Sequence, residues 1–161
     1  MDWGVFTIFL LACAAAAATG SFFAPGPWYR ALDKPAWTPP DWMFPVVWSV
    51  LYLAAAFAAA RVAGAEGSAY GMAFWAMQIA FNTLWTPVFF GLRKIKTAFF
   101  VMLGLWVAVA GAMVSFWAVD RIAGALFAPY LIWVTVAGAL NASVWVRNPK
   151  AETPGTGARR S

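Results

Sequence analysis

The chain has 161 residues, 63% of them hydrophobic and 11% charged, with a mean hydropathy of +0.72 and a net charge of +5. A soluble domain carries about 25% charged residues, so this composition excludes bulk water as the medium of the fold. No histidine is present and Cys13 is the single cysteine. That excludes an internal disulfide, a Cys/His zinc site and a histidine-held haem, so no metal site and no required cofactor are expected.

Five long runs carry no charge: Trp3–Tyr29, Trp42–Ala60, Gly67–Leu92, Thr97–Val119 and Ile122–Val146. Each contains the ~20 residues a helix needs to cross a bilayer core. None alternates strictly between apolar and polar residues, which argues against a barrel. Helices are the other way to satisfy every backbone group in lipid. The expectation is an all-α integral membrane protein, a bundle of five transmembrane helices filling residues 1–148 as one domain. Residues 149–161 form a short polar tail whose composition reads as disordered.

The first run follows Asp2 with no Lys or Arg before it, unlike the positive start of a secretory signal. Ala14 and Ala18 lie at a spacing that permits close helix approach, and Pro25 and Pro27 stop the run. The connection from Pro25 to Trp42 holds five of the ten prolines, three tryptophans and Tyr29. An interfacial aromatic belt accounts for one or two of these rings. The stiff frame Lys34-Pro35-Ala36-Trp37-Thr38-Pro39-Pro40 reads better as a lid over something flat and apolar.

The second run has Pro45 in its first turn, with Trp48 and Tyr52 on one face. The third places Gln78, Asn82, Trp85, Thr86 and Phe89 on one side. Amides in hydrocarbon are costly unless they face other protein or a cavity. Pro87 also leaves the Thr83 carbonyl without its usual donor. Gly91 to Lys96 is a basic turn that anchors topology. The fourth run offers Gly104, Ala108 and Ala112 for packing. The fifth starts near Pro129 and puts Trp133, Ala137 and Asn141 on one stripe with Leu140 beside it, which suits a pocket wall or helix packing equally.

With five spans, the connections on the N-terminal side carry Arg61 and Arg121, two of the eleven basic residues. The other nine lie on the opposite side. The positive-inside rule puts the N-terminus outside and the Pro/Trp-rich loop and the C-terminus in the cytoplasm. Topology and lipid headgroups then explain the positive charge without nucleic acid. No charge sits in mid-span, and no repeat divides the chain. Ion coupling and secondary active transport are disfavoured on that basis. No nucleophile–base pair, phosphate loop or carboxylate dyad is visible, so a non-enzymatic role is favoured.

Four ordered motifs resemble the TspO/MBR family, the tryptophan-rich sensory or translocator proteins whose mitochondrial members are the peripheral benzodiazepine receptor. They are Lys34 to Pro40 with Val47 to Tyr52, Asn82 to Gly91, Pro129 to Trp133, and Leu140-Asn141. The resemblance covers nearly the whole chain up to Asn148. It implies a bacterial five-helix protein, usually a homodimer, whose first loop closes a pocket for porphyrin-type tetrapyrroles such as protoporphyrin IX and for synthetic benzodiazepine-receptor ligands. Trp48 and Trp133 would be the pocket indoles, Asn82 the polar contact, Ala137 a small wall residue, and Tyr29, Trp37 and Pro39 the lid. Tyr52, Phe89, Phe90 and Leu140 complete the expected ligand-binding set. The implied role is regulatory, stress-sensing or tetrapyrrole-handling. Light-dependent porphyrin degradation, with Trp48 and Trp133 as reacting indoles, and transport of tetrapyrrole or lipid, or scaffolding, are the alternatives. A helical bundle favours the bacterial inner membrane, although family members have been placed in the outer one. The run from Leu140 to Arg147 lacks the tyrosine of the mammalian cholesterol motif, which argues against specific sterol binding.

Overall fold

The computed structural model describes residues 2–23 and 25–151, and all regular structure among them is helical. Seven α-helices follow in order: α1 (Trp3–Phe22), α2 (Pro27–Ala31), α3 (Met43–Val62), α4 (Ala69–Thr86), α5 (Ile95–Val119), α6 (Arg121–Leu126) and α7 (Ala128–Arg147). The all-helical class is as expected. Four stretches are long and apolar enough to cross a membrane: α1, α3, α5 and Arg121–Arg147, which holds both α6 and α7. The 18-residue α4 carries Gln78, Asn82, Thr83 and Thr86, and falls outside that set. The polar tail expected at 149–161 lies outside the described residues beyond Ala151.

Two acids set helix starts. The Asp2 carboxylate accepts from the Gly4 and Val5 N–H groups at 2.8 and 3.2 Å, closing α1. Asp120 does the same for α6 through Ile122 and Ala123, at 2.8 and 3.0 Å. Its second oxygen meets the Arg61 guanidinium at 2.7 Å, tying the end of α3 to the α5–α6 junction. That hydrogen bond from Arg61 is the main reason the Asp120 carboxyl titrates below its usual range.

Pro87 ends α4 because it has no N–H to continue the ladder. Residues Pro87–Gly91 widen into a π turn, in which Leu92 N–H donates to the Pro87 carbonyl at 2.8 Å. Arg93, at φ 55°, then reverses the chain into α5. The consequence reaches the site, since the wider turn brings both Phe89 and Phe90 to the same inner surface as Trp85.

The closest helix pairings are α4 on α5, α5 on α7 and α1 on α3, with α6 wedged between α3 and α5. Phenyl rings fill glycine gaps between α4 and α5. A Cβ added at Gly104 would stand 2.6 Å from Phe81, and one at Gly111 would stand 2.6 Å from Phe74. Ala108 and Ala112 are fully buried, as their spacing predicts. On α3, buried Ala55, Ala56, Ala58 and Ala59 permit an equally close approach by its neighbours. The α3 and α7 helices are not among the closely packed pairs. Aromatic side chains and an open space lie between them.

Candidate functional site

That space is a cavity of about 620 Å³, inside the ~300–1,000 Å³ range of small-molecule sites. Its walls come from α1 (Ala16, Ala17, Gly20), α3 (Phe44, Trp48, Tyr52), α4 with its π turn (Asn82, Trp85, Phe89, Phe90) and α7 (Ala137, Leu140, Asn141, Val144). The first connection closes one end with Pro25, Tyr29 and Asp41. The spacing on α7 is that of one helical face, every third or fourth residue.

The aromatic rings are fixed by one another. Trp85 stacks on Phe89 at 4.9 Å with planes 22° apart, and Phe90 meets Trp85 edge-on at 5.8 Å. Trp48 lies 5.5 Å from Tyr52 and 5.7 Å from Tyr130. Such pairs are worth about 0.5–1.5 kcal/mol each beyond area burial, and they hold a flat slot open.

Three buried amides organise the polar atoms. Asn141 accepts from the Trp85 indole N–H at 3.0 Å and donates to the Ile95 carbonyl at 3.0 Å. Asn82 donates through Nδ2 to Tyr130 Oη at 2.7 Å, and Tyr130 in turn donates to Gln78 Oε1 at 2.7 Å. Gln78 Nε2 is buried with no acceptor among the described residues.

At the closed end, Tyr29 packs edge-on against Phe89 and Phe90 at 6.2 and 5.3 Å. Burial, aided by the Asp41 carboxylate, pushes its phenol above the usual range. Lys34 Nζ sits 4.6 Å above the Tyr29 ring and donates to the Tyr29 and Leu32 carbonyls at 2.9 and 3.3 Å. The connection is also pinned to the end of α7. Asn148 accepts from Asp33 N–H at 2.9 Å and donates to the Asp33 carbonyl at 2.8 Å, in the manner of a backbone partner. Among the described lining residues the one formal charge is the acid Asp41. Neither Arg30 nor Lys34 lines the cavity.

Of the expected site residues, Tyr29, Trp48, Tyr52, Asn82, Phe89, Phe90, Ala137 and Leu140 line this one space. Trp37, Pro39 and Trp133 do not. Trp37 is 52% exposed, turned outward from the bend in which Thr38 N–H bonds the Pro35 carbonyl. Trp133 sits one turn before Ala137, where Phe44 meets it edge-on at 5.6 Å, and its indole N–H is buried without an acceptor among the described residues. Phe44 itself lines the cavity, so Trp133 supports the wall rather than forming it. The expected set omitted Trp85, Asn141, Phe44 and the α1 residues. Trp85 and Asn141 carried a signal in their one-sided spacing with Asn82 and Ala137. The small residues of α1 carried none.

The helices and the cavity define a class, a multi-pass helical membrane protein with an aromatic, ligand-sized chamber near one end of the bundle. Comparison with known proteins makes it specific, for residues 8–146 match the TspO/MBR family. The chain belongs to that family. It is 52% identical to protein CrtK of Rhodobacter capsulatus over 153 residues, covering 92% of this chain and 96% of that one. It is 52% identical to the tryptophan-rich sensory protein of Cereibacter sphaeroides over 124 residues, 77% and 78% of the two chains. The human translocator protein is 33% identical over 148 residues, 87% and 88% of the two.

Proposed function

We propose that this chain binds porphyrin-type tetrapyrroles such as protoporphyrin IX in the α3–α4–α7 cavity and serves a regulatory or tetrapyrrole-handling role. The observation that carries the reading is the slot bounded by Trp48, Tyr52, Trp85 and Phe89, with amide groups at its edge. A flat macrocycle gains stacking contacts there, and synthetic ligands of the benzodiazepine-receptor type have the same aromatic character. The Pro/Trp-rich first connection acts as the lid. In this reading α4 with its π turn is a fifth span, the N-terminus is outside, and the bundle sits in the inner membrane as a homodimer. Without the helix-end tyrosine, sterols are poor ligands. No cofactor is required.

The test is a dark titration of detergent-purified protein with protoporphyrin IX, followed by tryptophan fluorescence. Trp48→Ala should weaken saturable quenching about tenfold, the scale of one lost aromatic anchor. Trp133→Ala should act less strongly because Trp133 does not line the cavity and backs the lining residue Phe44, and the distant Trp3→Ala should leave affinity unchanged. Equal losses in all three, or unsaturated quenching in every protein, would mean partition into micelles.

Light-driven porphyrin breakdown is the second reading. It is favoured by the position of Trp48, an oxidisable indole that lines the cavity beside two tyrosine rings, with dissolved dioxygen as the oxidant that light-excited porphyrin would activate. Faster loss of porphyrin absorbance under light than in protein-free detergent, abolished by Trp48→Phe, would establish it.

A further inference from the structure

We infer that Tyr130 and Gln78, neither of which lines the cavity, decide what kind of hydrogen bond Asn82 offers to a ligand. The inference rests on the cavity being a ligand site. It deepens that reading by naming the recognition chemistry of its wall.

The phenol of Tyr130 has one proton to give and room to accept. Its ring is 1% exposed and held in place by Phe127, stacked at 5.9 Å, and by Trp48 edge-on. It sits between two terminal amides, each 2.7 Å away. In one order Asn82 donates to Tyr130 and Tyr130 donates to Gln78. The Asn82 carbonyl oxygen, which receives no hydrogen bond from any described residue, is then the group left for the cavity. This order strands the Gln78 NH₂ in the core, where that residue is fully buried.

Half-turns of the two amides about their last bonds keep every heavy-atom position and reverse both hydrogen bonds. Gln78 then donates to Tyr130, Tyr130 donates to the Asn82 oxygen, and the Asn82 NH₂ faces the cavity. The stranded group becomes a carbonyl instead of an N–H. A buried carbonyl without a partner is the more tolerable of the two. Both orders keep two hydrogen bonds and each strands one group of Gln78, so the hydrogen bond that a ligand makes to Asn82 can select either. The wall accepts a flat aromatic ligand that brings an N–H donor, and equally one that brings a carbonyl acceptor.

Removing the Gln78 amide breaks the balance. With Gln78→Met, the only partner left for the Tyr130 proton is the Asn82 oxygen. Asn82 is then locked with its NH₂ toward the cavity, and donor ligands meet a donor. The probes are three tricyclic aromatics of one footprint: carbazole (an N–H donor), fluorenone (a carbonyl acceptor) and fluorene, which has neither group. Each is titrated into the full-length protein in detergent by calorimetry, with Trp48→Ala as the control for micelle partition.

The wild-type protein should bind carbazole and fluorenone within about threefold of each other. Gln78→Met should weaken carbazole relative to fluorenone by about tenfold, the effect of one unmade buried hydrogen bond. Its affinity for fluorene should not change, which shows that the cavity keeps its shape. In a Tyr130→Phe background the coupling is cut, and adding Gln78→Met should leave the carbazole-to-fluorenone ratio where it was. An unchanged ratio in Gln78→Met overturns the relay and spares the pocket. An equal change with and without the Tyr130 hydroxyl overturns the relay in the same way. Absence of saturable, Trp48-dependent binding of any tricyclic to the wild-type protein overturns the pocket reading and the relay together.

Discussion

Asn141 joins three helices with a single amide. Its oxygen holds the Trp85 indole of α4, its nitrogen holds the Ile95 carbonyl of α5, and its own backbone belongs to α7. Replacing it by leucine keeps the volume and strands both partners. Leaving a buried donor or acceptor unmade costs about 1–3 kcal/mol. Asn141→Leu should therefore lower the thermal midpoint in detergent and weaken porphyrin affinity, because Trp85 loses the bond that sets its stack on Phe89. An unchanged midpoint would show that Trp85 finds another acceptor. At this scale the sequence was a partial guide. Spacing placed Asn141 on the stripe with Trp133 and Ala137, but its partners are 56 and 46 positions away. The fate of Trp133 was hidden for the same reason. Its stripe is right, but Phe44 from the start of another helix intercepts it.

The elements hidden from the sequence are the short ones. The five residues of α2 offer no periodicity to read, and only Pro27 after Gly26 hints at a start. The break between α6 and α7 at Phe127 falls inside apolar sequence, where hydropathy is blind to a change of axis. Pro87 did announce a disturbance in α4, though not that the ladder would resume as a π turn. The first connection was legible as stiff. Its anchor at Asn148 was not, since that side chain meets backbone atoms of Asp33. The pairing makes a discriminating prediction. Asn148→Ala removes both hydrogen bonds and should speed amide exchange across residues 33–42 by about fivefold or more. Asp33→Ala loses only a 3.6 Å ion pair to Arg147 between exposed side chains, and exchange should hardly change. Equal responses would mean that the charge, not the amide, holds the connection down.

For the molecule as a whole, the proposed fifth span is α4 with its π turn. By composition it fails, because the residues that line the cavity and its relay dilute its apolar character. By length it succeeds: the 18 residues of Ala69–Thr86 lie at the short end of the ~17–25 that cross a bilayer. With the π turn, Ala69–Gly91 at ~1.5 Å per residue reaches roughly 35 Å, more than the ~30 Å hydrocarbon core. Its two amide side chains face protein rather than lipid, since Gln78 and Asn82 are both buried. A cavity-lining helix is thus the one that hydropathy undervalues. The two connections flanking α4 decide the matter. Glu66 precedes it and Lys94 follows it, and both are exposed. The native Cys13 is fully buried, so it gives little background to a membrane-impermeant maleimide. If α4 spans, Glu66→Cys should be labelled from outside intact, outer-membrane-permeabilised cells, while Lys94→Cys reacts only after the inner membrane is opened. If α4 lies on one side of the bilayer, the two positions must label alike. A reversed pattern, with Lys94→Cys accessible first, would keep the fifth span but overturn the orientation assigned from the nine basic residues.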